Sequence, residues 1–168
     1  DALTDKTLRP WLRVVTALAK YRTAEQATAC TAKATELVGG SGYTKDHPIE
    51  RIHRDAMVLR VWEGPKNIQG RDLMYVLLHQ GGADAFLERF DTAINATTGH
   101  MIMAGDRQKL AQVRSGMRSA LASLTQADRD TLEIAGPRYL EEMSKALTYA
   151  LLCEEAAHEL EHYNDQSK

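Results

Sequence analysis

A chain of 168 residues with 43% hydrophobic and 26% charged side chains has the composition of one globular domain and the length to bury a core. Its net charge of −2, with Lys and Arg scattered, offers no basic face to nucleic acid. No apolar run approaches the roughly 20 residues that cross a bilayer. Cys30 and Cys153 stand far apart, so neither a disulfide framework nor a zinc pattern is present and a reducing, cytoplasmic setting is expected.

The opening "DALTDKTLRP" has no charged-then-apolar signal layout and does not begin with Met, which points to a processed or truncated chain. Ala, Leu, Glu, Arg, Lys and Met are plentiful, and Val and Ile nowhere alternate over a strand's length. An all-α helical bundle is therefore expected. The first helix is predicted from about Leu8 to Val38, with Leu8, Leu12, Val15 and Ala19 and later Ala27, Cys30 or Thr31, Ala34, Leu37 and Val38 on its apolar face. Thr4 or Asp5 would cap it, and Pro10 fits within its first turn. "VGGSGY" ends it, because consecutive glycines open positive-φ backbone.

From Gly39 to Glu63 the chain reads as a long extended connection with one short helical turn at "IERIHRDA". Pro48 and "SGYTKDHP" support a loop, and a loop of this length in a compact domain suggests function. A second helix is predicted from Asn67 to about His79, with Ile68, Leu73, Val76 and Leu77 apolar. A third opens after Gly81 and Gly82, and a fourth runs from about Asp106 through Leu110, Val113, Met117 and Leu121 to Leu124. "TQAD" starts a fifth helix or a turn, Pro137 interrupts, and the last helix begins at that proline.

The chemistry gathers around "RVWEGPKNIQG", residues 60–70. Glu63 stands between the ring of Trp62 and a glycine–proline turn. A carboxylate enclosed by an apolar ring has its pKa pushed upward and can act as a base near neutrality. From spacing alone, a surface acid at a helix start, stabilised by the helix dipole, is the simpler reading. "GGSGY" lets backbone N–H groups approach a diphosphate, although a glycine pair is usually a plain helix stop. Arg54 and Asp55 read as an internal ion pair, and His47 and His53 as ordinary loop residues. Glu155 with His158, and Glu159 with His162, have the spacing of di-iron bundles. Both pairs overlap on one terminal helix, so a solvated helix end is expected and no metal ligand is assigned. "LRPWLRVVTALAKYR" could pass for a membrane-surface helix, but a core helix explains it more simply.

Taken as a block, "ELVGGSGYTKDHPIERIHRDAMVLRVWEGPKNIQ", residues 36–69, resembles the C-terminal domain of the acyl-CoA dehydrogenases. Gly39, Gly40, Gly42, Tyr43, Arg54, Asp55, Trp62, Glu63, Gly64, Ile68 and Gln69 match the family's pattern in one register. Trp62 before the acid, and the roughly 100 residues that follow, look most like the alkylation-response (adaptive response) branch of the family. The resemblance implies FAD as cofactor, an acyl-CoA thioester as substrate and a homo-oligomer.

It also implies Glu63 as the base that removes the α-proton, shielded by Trp62. Glu36, Gly39, Gly40 and Asn67 would contact FAD, the glycine loop meeting the flavin nucleotide of a neighbouring subunit. Two positions depart from the family pattern: Glu36 replaces the usual Gln, and Pro65 replaces the usual Thr or Ser. The family's N-terminal helical and β domains are absent, so a C-terminal part that is inactive alone is expected. Residues 1–79 would form the motif-bearing part and 80–168 a helical extension. A non-catalytic interaction or regulatory module built on the same scaffold is the alternative. DNA association ranks last on net charge.

Overall fold

The long first helix, α1 (Arg9–Val38), carries Pro10 in its first turn, where the missing N–H has no helical partner to lose. In the computed structural model, which describes residues 6–166, it is followed by α2 (Gly40–Tyr43), α3 (Ile49–Val58), α4 (Lys66–His79), α5 (Gly82–Ala96), a 3₁₀ turn at Met101–Met103, α6 (Ala104–Leu124) and α7 (Arg129–Gln166). No strand occurs among the described residues, and the expected all-α bundle is borne out. The proposed caps Thr4 and Asp5 lie outside the described residues.

One core joins the two halves of the chain. α4 packs chiefly on α7, with α1 and α5 closing the sides, α3 laid along α1, and α6 against α5. Val14 and Leu18 from α1, Leu73 and Val76 from α4, Phe86 and Phe90 from α5, Leu110 from α6 and Leu140 and Met143 from α7 are fully enclosed. Fully burying each such side chain contributes about 1.5–3 kcal/mol, so this cluster dominates the stability. The ion pairs Arg13–Asp72, Arg89–Glu154 and Arg114–Asp91 tie the helices together around it.

Several expectations need correction. The apolar face of α1 is turned from the expected one: Val14, Ala17, Leu18, Tyr21 and Ala24 are buried, whereas Leu8 and Ala19 are exposed. A helix this rich in alanine carries more than one weakly apolar stripe, and α4, α5 and α7 select among them. Ile68 likewise faces outward from α4.

The connection from Gly39 to Glu63 is more helical than a single turn. α3 runs for ten residues because Ile49 and Ala56 bury against α1 and Glu50 pairs with Arg54 at i,i+4. His47 Nδ1 accepts the Ile49 N–H at 3.2 Å, and His53 Nδ1 lies 2.8 Å from the Thr31 hydroxyl, so His53 is a helix residue facing α1. Arg54 therefore pairs with Glu50 and not with Asp55; neighbouring residues on a helix point about 100° apart.

The last helix starts at Arg129, eight residues before Pro137. Asp128 accepts the Thr131 N–H at 2.8 Å, which caps it, and the helix continues through the proline. Gly136 explains the tolerance. It meets Gly70 of α4 so closely that a Cβ on Gly70 would lie 2.6 Å from the Gly136 carbonyl carbon and 2.7 Å from the Pro137 nitrogen. This backbone-on-backbone crossing holds α7 in place, while burial of Leu140 and Met143 offsets the hydrogen bond that the proline removes.

Candidate active site

Glu63 has φ = 55°, and among the described residues it alone adopts a left-handed conformation without being glycine. A side chain with a Cβ is held there only when its surroundings over-determine the backbone. Two long side chains do so. Gln69 Nε2 donates to the Glu63 carbonyl at 2.9 Å, and Lys20 Nζ donates to the Gly64 carbonyl at 2.7 Å. Pro65 follows in extended backbone as the residue before α4, so the turn is fixed by Lys20 on one side, Gln69 on another and a rigid ring at its exit.

Neither Glu63 nor Trp62 is enclosed by this chain. Glu63 is exposed, and Trp62 keeps 54% of its surface open. The expected shielding of the acid by the ring is therefore not formed within the chain; the left-handed turn directs Glu63 outward. Beside the turn lies a cleft of about 410 Å³ between α1, α3 and α4, lined by Lys20, Tyr21, Met57, Arg60, Val61 and Asn67 among others. Its cations are already paired. Arg60 donates to Glu25 at 2.7 Å, and Lys66 reaches Glu141 at 2.8 Å while lying 5.2 Å from the centroid of the Tyr21 ring. Glu141, held between Lys145 and Lys66, has its carboxyl pushed down to about 2, and Glu141 in turn raises Lys66.

The residues expected to meet FAD fall into two groups. Asn67 is exposed and lines the cleft beside Glu63. Glu36 and Gly39 lie at the far end of α1, about 24 and 28 Å along the helix axis from Lys20 at 1.5 Å per residue, and Gly40 follows them. Gly39, at φ = 74°, turns the chain out of α1, and its N–H is occupied by the Thr35 and Glu36 carbonyls. A Cβ on Gly39 or Gly40 would meet no atom of this chain within 4 Å, so this corner is open to a group from outside. The Glu36 carboxylate is paired with Lys33 at 2.7 Å, which offsets its charge beside an anion. These residues fit a dinucleotide that approaches from outside, and the two groups do not form one pocket within a single chain. Lys20 was not legible as part of the site, because its partner lies 44 residues away and leaves no local signal. Gln69 was visible only as part of the matched motif.

The tethered turn that presents the acid lies beside the middle of α1 and the open glycine corner at its C-terminal end, and both are uncovered in this chain. Residues 2–78 match the family model described as "Acyl-CoA dehydrogenase, C-terminal domain", and that segment is similar to this family. The chain is 44% identical over 61 residues to the short/branched chain specific acyl-CoA dehydrogenase of Rattus norvegicus, an alignment covering 36% of this chain and 14% of that protein. It is 34% identical over 83 residues to the putative acyl-CoA dehydrogenase AidB of Escherichia coli, covering 46% and 15%. A longer alignment, 28% over 113 residues, links it to acyl-CoA dehydrogenase family member 11 of Caenorhabditis elegans and covers 67% and 18%. The chain thus spans less than a fifth of the length of these relatives. No solved structure matches it.

Proposed function

We propose that this chain is the C-terminal helical part of an FAD-dependent acyl-CoA dehydrogenase that introduces a double bond between the α and β carbons of an acyl-CoA thioester. The observation that carries the reading is the left-handed Glu63, its turn tethered by Lys20 and Gln69 and aimed out of the chain. In the intact protein Glu63 would accept the α-proton on a carboxylate oxygen, and other domains would supply the enclosure that Trp62 alone does not. FAD, when bound, supplies the acceptor for the β-hydride. Asn67 would contact the cofactor beside the acid. Glu36, Gly39 and Gly40 would meet the nucleotide of a neighbouring subunit, with the Lys33–Glu36 pair limiting repulsion.

The same separation of the two groups supports a homo-oligomer, and so does the apolar surface at that corner, where Leu37 and Tyr43 are each 88% exposed. A cytoplasmic setting is retained with the reading; no helix among the described residues is long and apolar enough to cross a membrane. We assign residues 1–79 as the motif-bearing part and 80–168 as a helical extension that buttresses α4.

The exposure of Glu63 and Trp62, with Pro65 in place of a hydroxyl residue, favours a second reading: a helical interaction module that keeps the scaffold without the chemistry. Acyl-CoA-dependent reduction of an electron acceptor by the flavin-containing, full-length protein separates the two. Loss of that activity in Glu63→Gln, with flavin absorbance retained, is the outcome expected of the enzyme. Absence of activity in the wild-type full-length protein supports the module.

A further inference from the structure

Near the C-terminus α7 carries His158-Glu159-Leu160-Glu161-His162, two histidines at i and i+4 with a glutamate after the first. This spacing puts both imidazoles on one side of the helix, an arrangement that can hold a metal ion. The structure brings them further together than spacing requires. The two Nε2 atoms are hydrogen-bonded to each other at 3.0 Å, and the rings stand at 90° with centroids 4.3 Å apart. Two nitrogens bound to one metal at about 2.1 Å are about 3.0 Å apart when they occupy cis positions at 90°, and about 3.4 Å apart at a tetrahedral angle. The observed separation fits the first. In this contact one Nε2–H donates to the other Nε2; a metal ion would take the place of that shared hydrogen, each ring then keeping its hydrogen on Nδ1. The carboxylates Glu155, Glu159 and Glu161 and the negative pole of the helix end add a field that favours a cation.

We propose that His158 and His162 form a two-imidazole site for a divalent transition ion of tetragonal preference, Cu²⁺ or Ni²⁺ ahead of Zn²⁺, with water filling the remaining positions. The site differs from a di-iron centre, which needs carboxylates from facing helices, and no group of three or more ligating side chains occurs among the described residues. Both histidines are exposed on a convex helix end, so the site binds and cross-links two turns of α7 and does not enclose a substrate. It does not depend on the dehydrogenase reading.

Calorimetric titration of the chain, freed of any affinity tag, with NiCl₂, CuCl₂ and ZnCl₂ tests the inference. One equivalent of Ni²⁺ or Cu²⁺ should bind, more tightly than Zn²⁺, and His158→Ala or His162→Ala should each weaken binding about tenfold or more. Circular dichroism serves as the check on folding. A double variant, His162→Gln with Tyr163→His, keeps the number of histidines but moves the second ring to i+5, about 140° around the helix. It should bind no better than the single variants. Unchanged Ni²⁺ and Cu²⁺ affinity in His162→Ala and in the double variant would overturn the proposal, as would the absence of binding by the wild-type chain.

Discussion

Lys20 and Gly64 are joined by a 2.7 Å hydrogen bond from the ammonium to the carbonyl, which ties the middle of α1 to the turn that carries Glu63. The bond is charge-assisted and partly shielded, and its partner carbonyl belongs to the residue that follows a strained glutamate. Lys20→Met keeps most of the aliphatic stem and removes the donor. Stability should fall by about 1–3 kcal/mol, read from the denaturant midpoint. In the flavin-containing protein the same variant should lower turnover of acyl-CoA more than it changes substrate affinity, because it loosens the base and not the binding surface. Equal activity of Lys20→Met and wild type would show that the tether is structural only.

Glu63→Gln in the full-length protein should leave flavin absorbance in place and reduce dehydrogenation by roughly 10²- to 10⁴-fold, since an amide cannot accept the α-proton. Acyl-CoA should still bind, as seen by perturbation of the flavin spectrum. A wild-type rate in the variant would reduce Glu63 to a surface acid at the start of α4. The isolated chain, which has only part of each expected contact with FAD, should purify without flavin colour.

Gly70→Ala places a methyl group 2.6 Å from the Gly136 carbonyl carbon, where only backbone stands and no side chain can swing aside. α4 and α7 must then separate at the crossing that holds the core, at a cost of about 1–3 kcal/mol or more. Ala at Gly105, where nothing lies within 4 Å, is the matched control and should raise or preserve stability, because alanine favours helix. Thermal melts of the two variants side by side decide the point.

Glu141 sits between Lys145 and Lys66, and these partners hold its carboxyl near 2 in the folded chain. Its folded value is below its unfolded value, so its contribution is fully present above the unfolded pKa and is lost as pH falls toward about 2. Glu141→Gln should therefore be less stable than wild type near neutrality, and the difference should shrink as the pH is lowered from about 5 to 2. Urea midpoints measured across that range would show it; a difference constant with pH would mean that the pair contributes nothing through charge.

The sequence alone determined the helical class, most helix boundaries and the register of the glycine and Glu63 motifs. These depend on local chemistry: Pro10 belongs in a first turn, Gly39 and Gly81 stop and start helices, and apolar residues recur at helical spacing. Tertiary structure decided what depends on partners far along the chain. It turned Val14 and Leu18 inward in place of Leu8 and Ala19, because α4, α5 and α7 form the surface that α1 must meet. It let α7 run through Pro137, because Gly70 lies against Gly136, and made α3 a full helix by giving Ile49 and Ala56 a place against α1. It also set Glu63 outward in a left-handed turn, through a lysine 44 residues before the carbonyl it holds. A motif in sequence names the acid, but its exposure is a property of the whole packed surface.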